Sequence, residues 1–253
     1  MRTLLVTLLL LVGLSAPVHA AETQPLPTGT DVDYQLGGPA YVPDNVGIVV
    51  RDRTAEPAPG AYNICYVNGF QTQPDAKRYW RKHRDLLLQD GRGRLVEDEA
   101  WGEWLLDVRT AAKRKALASV VGRWTAGCAR DGFDAVEYDN LDSYSRSRGL
   151  IKAKQAKAFA RLLTATAHDA GLAVGQKNWA TLDGTTLGFD FAVSEECGRY
   201  DECGDYVDHF GDQVLVVEYR ARDFAKTCRD YGDLLAVVYR DLDLSPNGVR
   251  RWC

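Results

Sequence analysis

The chain has 253 residues, 31 Lys and Arg against 35 Asp and Glu, and a formal net charge of −4. Proteins that bind nucleic acid show a basic stripe, so this mild acidity argues against a nucleic-acid partner. Residues 1–20 carry Arg2, an apolar run from Leu4 to Leu14, and the ending Val18-His19-Ala20. This pattern predicts a cleaved secretory signal peptide, because a membrane span takes about 20 apolar residues. We therefore expect a secreted, extracellular monomer with no membrane attachment after cleavage.

The next segment is rich in Pro and Thr and predicts an N-terminal tail over residues 21–33, followed by one domain over residues 34–253. Short apolar runs predict nine strands: Tyr34–Leu36, Gly47–Val50, Asn63–Val67, Trp104–Val108, Phe133–Tyr138, Ala173–Gln176, Phe189–Val193, Val214–Tyr219 and Leu234–Tyr239. Helical patterns lie between most of them: Asp75–Gln89, Thr110–Arg130, Ile151–Ala170 and Asp223–Tyr231.

The alternation of strands and helices predicts a parallel sheet with its helices packed outside. About 230 mature residues and nine strands suit a single-domain α/β fold, a (β/α)8 TIM-barrel-like structure with one strand to spare. An open doubly wound sheet is the alternative. That fold often shows a Gly-rich phosphate loop after a strand, and this chain has none.

The six cysteines all lie in the mature chain, and an even number in an exported protein predicts disulfides. Cys197 and Cys203 flank a short polar loop and are the easiest pair to join. Six cysteines allow 15 connectivities, so the other two pairs stay open. The suggested pairs are Cys228–Cys253, which would clamp the C-terminus, and Cys65–Cys128. Zinc is the competing use, but no CxxC occurs and few His remain.

Polar side chains recur where the predicted strands end, which is the active-site face of a (β/α)8 barrel. Strand ends reach the solvent in any barrel, so a single polar residue at one of them needs no functional explanation. Several carboxylates at one end repel one another, which is typical of functional sites. The strand ends supply Tyr34, Asp107, Arg109, Glu137, Asp139, Lys177, Asn178, Glu195, Glu196, Glu218 and Tyr219.

A carboxylate pair is the chemistry that this pattern favours. Serine hydrolysis is disfavoured because no GxSxG occurs, and metal-assisted hydrolysis because HExxH is absent. Glycoside hydrolysis needs one carboxylic acid to protonate the leaving oxygen and a second carboxylate to attack the sugar or activate water. It needs no cofactor and no metal, and we expect neither.

Seven segments in order along the chain resemble glycoside hydrolase family 114, the endo-α-1,4-polygalactosaminidases: YQLGG, ICYVN, WLLDVR, GFDAVEYDN, GLAVGQKN, FDFAVSEECGRYDEC and VLVVEYR. The resemblance runs from about Tyr34 to Cys253. It implies a (β/α)8-type catalytic domain that cleaves α-1,4-linked galactosamine polysaccharide internally, in connection with microbial exopolysaccharide. A partly deacetylated polymer of this kind is cationic, so a cleft lined by acids would attract it.

Carried over by residue, the resemblance implies that Asp139 is the nucleophile or base and Glu195 the acid. Side-chain alternation conflicts with this, because it treats Phe191 and Val193 as helix-facing and turns Glu196 inward. The family has Glu then Gln before the cysteine, which favours Glu195 and leaves Glu196 as the rival. The predicted substrate-binding residues are Tyr34, Asp107, Arg109, Glu137, Lys177, Asn178, Glu218 and Tyr219.

Lys177 has two interpretations, since it would either keep a catalytic carboxylate ionised or form a structural ion pair across the barrel. The chain departs from the family over residues 46–74, where Arg51-Asp52 replaces the usual aspartate and Asn68-Gly69-Phe70 follows a strand. Two alternatives therefore stay open. One is a hydrolase of another α-linked hexosamine or galactan, and the other is a secreted carbohydrate-binding barrel without turnover.

Overall fold

A computed structural model describes residues 23–253 of the chain. The predicted signal peptide, residues 1–20, lies outside the described residues. The strands are β1 Asp31–Gln35, β2 Val46–Asp52, β3 Tyr62–Asn68, β4 Glu97–Asp98, β5 Glu103–Trp104, β6 Ala135–Asp139, β7 Ala173–Lys177, β8 Phe191–Glu195, β9 Val214–Glu218, β10 Ala236–Arg240 and β11 Arg250–Trp252. The α-helices are α1 Lys77–Trp80, α2 Ala111–Asp131, α3 Ala153–Asp169, α4 Cys197–Tyr200, α5 Cys203–Phe210 and α6 Ala221–Tyr231.

Eight parallel strands form a nearly closed barrel in the order β1-β2-β3-β6-β7-β8-β9-β10, and β11 pairs antiparallel with β10. This confirms the predicted TIM-barrel-like α/β fold. Strand β11 helps to hold β10 beside β1. The Trp252 indole donates a 2.8 Å hydrogen bond to the Val32 carbonyl, and Arg250 and Arg240 both contact the buried Asp33 carboxylate.

Two predicted elements are wrong. Only Trp104 of the predicted strand Trp104–Val108 lies in a strand, in a separate two-stranded hairpin of β4 and β5. The apolar residues that follow make isolated antiparallel bridges to other loops, so β3 pairs directly with β6. The predicted helix Asp75–Gln89 contains one α-helical turn, α1, and two 3-10 turns, Pro74–Ala76 and Arg84–Leu86. The chain then becomes extended, where Leu88 N donates to the Leu105 carbonyl at 2.8 Å. Strand β1 also begins inside the predicted tail.

Side chains that alternate along the strands build two large cores, and a small third cluster holds Val46, Val49 and Ala58. One fills the barrel interior and contains Val32, Tyr34, Ile48, Val50, Ile64, Ala135, Ala173, Phe191, Val193, Leu215, Val217 and Val238. The other lies between the barrel and the helices, where Val136, Val174 and Val216 meet Leu117 of α2 and Leu163 of α3. The first set fixes which strand-end residues point into the barrel mouth.

Helix α2 begins and ends at clear sequence signals. The Thr110 hydroxyl accepts a hydrogen bond from Lys113 N, and Gly132 follows the helix at φ 92°. Another glycine, Gly175 on β7, points toward the barrel interior beside Phe191. A Cβ atom at Gly175 would clash with Phe191 Cε2, so a side chain there would displace the ring that packs beneath the site.

Three disulfides are present, and they are the three suggested pairs: Cys65–Cys128, Cys197–Cys203 and Cys228–Cys253. The first joins β3 to α2, the second spans the turn between α4 and α5, and the third fastens the chain end to α6. Within residues 23–253, no helix combines the length and apolar character that a bilayer crossing requires.

Candidate active site

The mouth of the barrel holds a cleft of about 480 Å³ at the carboxyl ends of the strands. Interior-facing residues at the ends of five strands line it: Tyr66, Asp139, Lys177, Glu195 and Tyr219. Tyr34 and Glu137 are buried beneath them, in contact with Lys177. The alternation that buries Ala135, Ala173 and Val193 inside the barrel also directs the residues further along these strands into the cleft.

Lys177 is the centre of this cluster. Its buried ammonium lies 3.0 Å from Glu137 Oε1, 3.3 Å from Glu195 Oε2 and 3.7 Å from Asp139 Oδ1. It also donates to the Tyr34 hydroxyl at 2.9 Å, which in turn donates to Glu137 at 2.6 Å. The site therefore collects three carboxylates around one cation.

These surroundings raise the pKa values of Lys177 and Glu137, which favours the charged form of the lysine and the neutral form of the glutamate. Burial opposes the charge on Lys177, but the three carboxylates outweigh it and hold the pKa of the ammonium well above its usual value. Burial raises the pKa of Glu137 to about 7. Lys177 lowers that pKa and the charge of Asp139 raises it. One oxygen of Glu137 is buried with no hydrogen-bond partner among the described residues, so both of its polar contacts are made through the other oxygen.

Asp139 is held by donors from two directions. The Tyr66 hydroxyl donates to Oδ2 at 2.6 Å, and the backbone N–H of Asn140 donates to Oδ1 at 2.6 Å. The side chain of Asp139 is 17% exposed, so it faces the cleft from a largely enclosed position.

Glu195 lies across the cluster and is more open, with 28% of its side chain exposed. The Tyr219 hydroxyl donates to Oε1 at 2.5 Å, and the Asn178 amide donates to Oε2 at 3.2 Å. Asn178 also accepts from the Glu195 backbone N–H at 2.9 Å. The carboxylate is thus positioned from two neighbouring strands, β7 and β9.

Between the two rival glutamates, the structure places Glu195 in the cleft. Phe191 and Val193 belong to the barrel interior, so the expectation that they face the helices is wrong. Because Glu195 shares their side of the strand, it points inward. Glu196 turns away at φ 59° and pairs with Arg199 at 2.8 Å.

Left-handed backbone follows three of the site-bearing strands. Asn140 (φ 65°), Asn178 (φ 55°) and Glu196 (φ 59°) each come directly after the residue that enters the cleft. Left-handed non-glycine residues are uncommon and concentrate at functional sites. In this protein, these left-handed residues turn the backbone away from the cleft directly after Asp139, Lys177 and Glu195.

Three predicted substrate-binding residues lie away from the cleft. Asp107 is buried in an ion cluster with Arg109 at 2.7 Å and Lys113 at 2.5 Å, beside the start of α2. Glu218 occupies an outward position of β9, where it accepts from Gly198 N at 2.7 Å and the Thr227 hydroxyl at 3.0 Å. Its neighbours Val216 and Val214 pack toward the helices, so alternation along the strand could have assigned Glu218 to this layer.

One wall of the cleft was not expected from the sequence. The β4–β5 hairpin contributes Asp98, Trp101 and Glu103 to the lining. Arg146, which follows β6, lies 2.6 Å from Asp98. The hairpin interrupts the barrel pattern, so no periodicity marked its residues. The number of acids in the segment from Glu97 to Glu103 was the only available signal.

In the described chain, one group of side chains has its ligand atoms within metal-binding reach of one another: Cys197, Cys203 and Glu218. Both sulfur atoms are joined in a disulfide, so neither can serve as a thiolate ligand. This group therefore offers a metal a single carboxylate and does not fit a metal centre.

A barrel whose mouth holds two cleft-facing carboxylates beside a shared cation is the arrangement of an enzyme that hydrolyses glycosides. The sequence model of glycoside hydrolase family GH114 matches residues 14–253, and the chain belongs to this family.

Several solved structures are similar to this one, among them the following two. One is Aspergillus fumigatus Ega3 in complex with galactosamine, with a TM-score of 0.71 and 21% identity over 94% of this chain and 100% of that chain. The other is the glycoside hydrolase domain of PelA from Pseudomonas aeruginosa, with a TM-score of 0.58 and 14% identity over 87% of this chain and 97% of that chain. At these identities the likeness establishes the shared fold. Comparison with curated proteins finds no match.

Proposed function

We propose that the protein is an exported glycoside hydrolase that cleaves α-1,4-linked galactosamine-containing polysaccharide internally, with Asp139 and Glu195 as the catalytic pair. The observation that carries the proposal is the position of these two carboxylates. Both open into the cleft of a glycoside hydrolase barrel, and both contact the Lys177 ammonium.

Glu195 is assigned as the general acid and Asp139 as the nucleophile. The two oxygens that contact Lys177, at 3.3 and 3.7 Å, lie at most about 7 Å apart. Retaining enzymes place their carboxyl groups about 5–5.5 Å apart and inverting enzymes about 6.5–9.5 Å apart. The limit includes the retaining range and only the lower edge of the inverting range, and retention is the outcome that we propose. Asp139 then attacks the anomeric carbon while Glu195 protonates the leaving oxygen. Water, deprotonated by Glu195, releases the sugar from Asp139 in the second step.

Galactosamine polymer is the proposed substrate class for two reasons. The cleft is lined by carboxylates from Asp52, Asp98, Glu103, Asp142 and Asp243 in addition to the pair, which favours a cationic glycan. The structurally similar Ega3 was crystallised with galactosamine. Export is supported by the three disulfides, which persist in oxidising compartments.

The test is release of soluble oligosaccharides from α-1,4-galactosamine polymer by wild type, Asp139→Asn, Glu195→Gln and Glu196→Gln. Release by wild type and Glu196→Gln, with none by the other two, is expected. Glu196 is a matched control because it adjoins Glu195 but turns out of the cleft. Products of several sugar units at early times would support internal cleavage, and a first product with the α configuration by NMR would support retention.

Two results would contradict the proposal. Full activity of Glu195→Gln together with loss in Glu196→Gln would reverse the assignment of the acid. Binding of the polymer by wild type without any cleavage would favour the carbohydrate-binding barrel or a different glycan.

A further inference from the structure

The β4–β5 hairpin forms a wall of the cleft that the catalytic assignment does not use. It leaves the barrel between β3 and α2 and is fixed to the loop after β3 by two 3.0 Å hydrogen bonds between Thr72 and Trp104. Asp98, Trp101 and Glu103 of this hairpin line the same cleft as Asp139 and Glu195. The hairpin is therefore placed to contact a sugar unit that extends from the catalytic pair.

Glu103 is a buried carboxylate without a cation from the protein. It is 9% exposed, and its Oε2 accepts a 2.7 Å hydrogen bond from the Asn68 amide. Within residues 23–253, no group donates to Oε1 and no Lys, Arg or His lies within 4.0 Å of the carboxylate. By contrast, Asp98 pairs with Arg146 at 2.6 Å and the catalytic carboxylates share Lys177. A buried carboxylate is costly unless it is paired, so a cation brought by a ligand would stabilise it.

The charge state of Glu103 responds to the groups that face it. Burial raises the pKa of Glu103 to about 7, while the hydrogen bond from Asn68 lowers it. The charges of Asp139 and Asp98 raise the pKa further, and Lys77 opposes them. An ammonium group beside the free oxygen would favour the ionised carboxylate and pull this pKa down.

Trp101 is the second unusual side chain of the hairpin. It is 69% exposed and lines the cleft, as does Leu242 in the loop after β10, which is 68% exposed. Within the described chain the Trp101 ring has no aromatic or cationic stacking partner. Tryptophan offers a large rigid apolar face, and such faces in ligand clefts commonly contact the ligand. A sugar ring of the polymer, continuous with the unit in the active site, would cover it.

We propose that this hairpin selects a free amino sugar, with Glu103 accepting the ammonium group of one hexosamine unit and Trp101 stacking on the ring of another. The inference rests on the proposed function and adds the residues that read the amino group. An N-acetylated unit carries a neutral, bulkier substituent, which cannot form the ion pair with Glu103. The enzyme should therefore prefer de-N-acetylated stretches of the polymer.

The experiment compares kcat and KM on two α-1,4-galactosamine polymers of equal length, one with free amines and one fully N-acetylated. The variants are Glu103→Gln and Glu99→Gln, of which the second removes the same charge from an exposed position of the same hairpin, outside the cleft lining. Loss of a charged hydrogen bond should lower kcat/KM of Glu103→Gln on the free-amine polymer roughly tenfold or more. It should leave the rate on the acetylated polymer unchanged or higher, and Glu99→Gln should match wild type on both.

Trp101 is tested by chain length. Trp101→Ala should raise KM several-fold on long free-amine polymer and leave kcat and the shortest cleavable oligosaccharide unaffected, while Trp101→Phe retains most of the affinity. Tyr200→Ala removes a 57% exposed aromatic ring that does not line the cleft and should not change KM.

Each contrary outcome would overturn a specific part of the proposal. An equal loss on both polymers in Glu103→Gln would make Glu103 a structural residue, and no loss on either would remove it from the substrate contacts. Wild-type preference for the acetylated polymer would overturn amine selection while leaving the hydrolase proposal intact. Cleavage of neither polymer by wild type would overturn the proposed function, and this inference with it.

Discussion

Replacement of Lys177 by Met should separate the electrostatic role of this residue from its packing. Methionine keeps a long, unbranched side chain in the barrel interior but removes the ammonium that lies 3.0 to 3.7 Å from three carboxylates. At an effective dielectric constant of about 20, each contact is worth roughly 5 kcal/mol before the cost of burial is subtracted. Removing one partner from a buried ion pair typically lowers the free energy of unfolding by about 3–5 kcal/mol. We expect a loss of that size at pH 8.

The loss should be smaller at acidic pH. Glu137 has a pKa of about 7 in the folded protein, so it is ionised at pH 8 and neutral at pH 5. A carboxyl whose folded pKa is raised destabilises the fold as pH rises from its unfolded value through the folded one. Without the ammonium, the pKa of Glu137 rises further, and the carboxyl stays protonated at pH 8. This difference alone makes the loss at pH 5 smaller than at pH 8 by up to about 1.4 kcal/mol, the free energy of one pH unit.

The assay is urea unfolding of wild type and Lys177→Met at pH 5 and pH 8, with disulfides intact. Lys226→Met is the control, since Lys226 contacts Asp201 and Asp230 at the surface and should change stability by less than about 1 kcal/mol. An equal loss at both pH values would refute the electrostatic reasoning, because a packing defect alone does not titrate. A loss below about 1 kcal/mol at pH 8 would refute the net stabilisation assigned to the cluster.

Two further predictions concern the site and the scaffold. Tyr219→Phe removes the hydroxyl that donates to Glu195 at 2.5 Å, and should lower kcat about tenfold with little change in KM. An unchanged kcat would show that Tyr219 does not position Glu195. Replacement of both Cys65 and Cys128 by Ala opens a link between residues 63 positions apart, and should lower the free energy of unfolding in urea by about 4 kcal/mol with kcat preserved. Loss of kcat at full stability would mean that this disulfide positions the site.

The eight barrel strands could be predicted from the sequence, because each is a short apolar run that can be identified from its own residues. The sequence also indicated the cleft-facing carboxylates through their place at the strand ends, and the disulfides through export and spacing. Glu218 was predicted among the substrate-binding residues, although alternation along β9 would have assigned it to the helix layer with Val214 and Val216. The same rule misassigned Phe191 and Val193, since an apolar strand buried on both faces does not reveal which face is inside.

Tertiary structure decided the remainder. The β4–β5 hairpin has no hydrophobic periodicity in its sequence from which it could be predicted. The apolar run Leu105–Leu106 resembles a barrel strand, although its residues form isolated bridges to loops. Whether Glu103 faces the cleft, and whether a cation accompanies it, depends on side chains that lie far apart in the sequence. The same is true of Lys177, whose interaction with three carboxylates from β6 and β8 exists only after the barrel closes. Burial and alternation are local properties that a sequence can encode visibly, whereas charge pairing within the cleft arises from distances that only the folded chain defines.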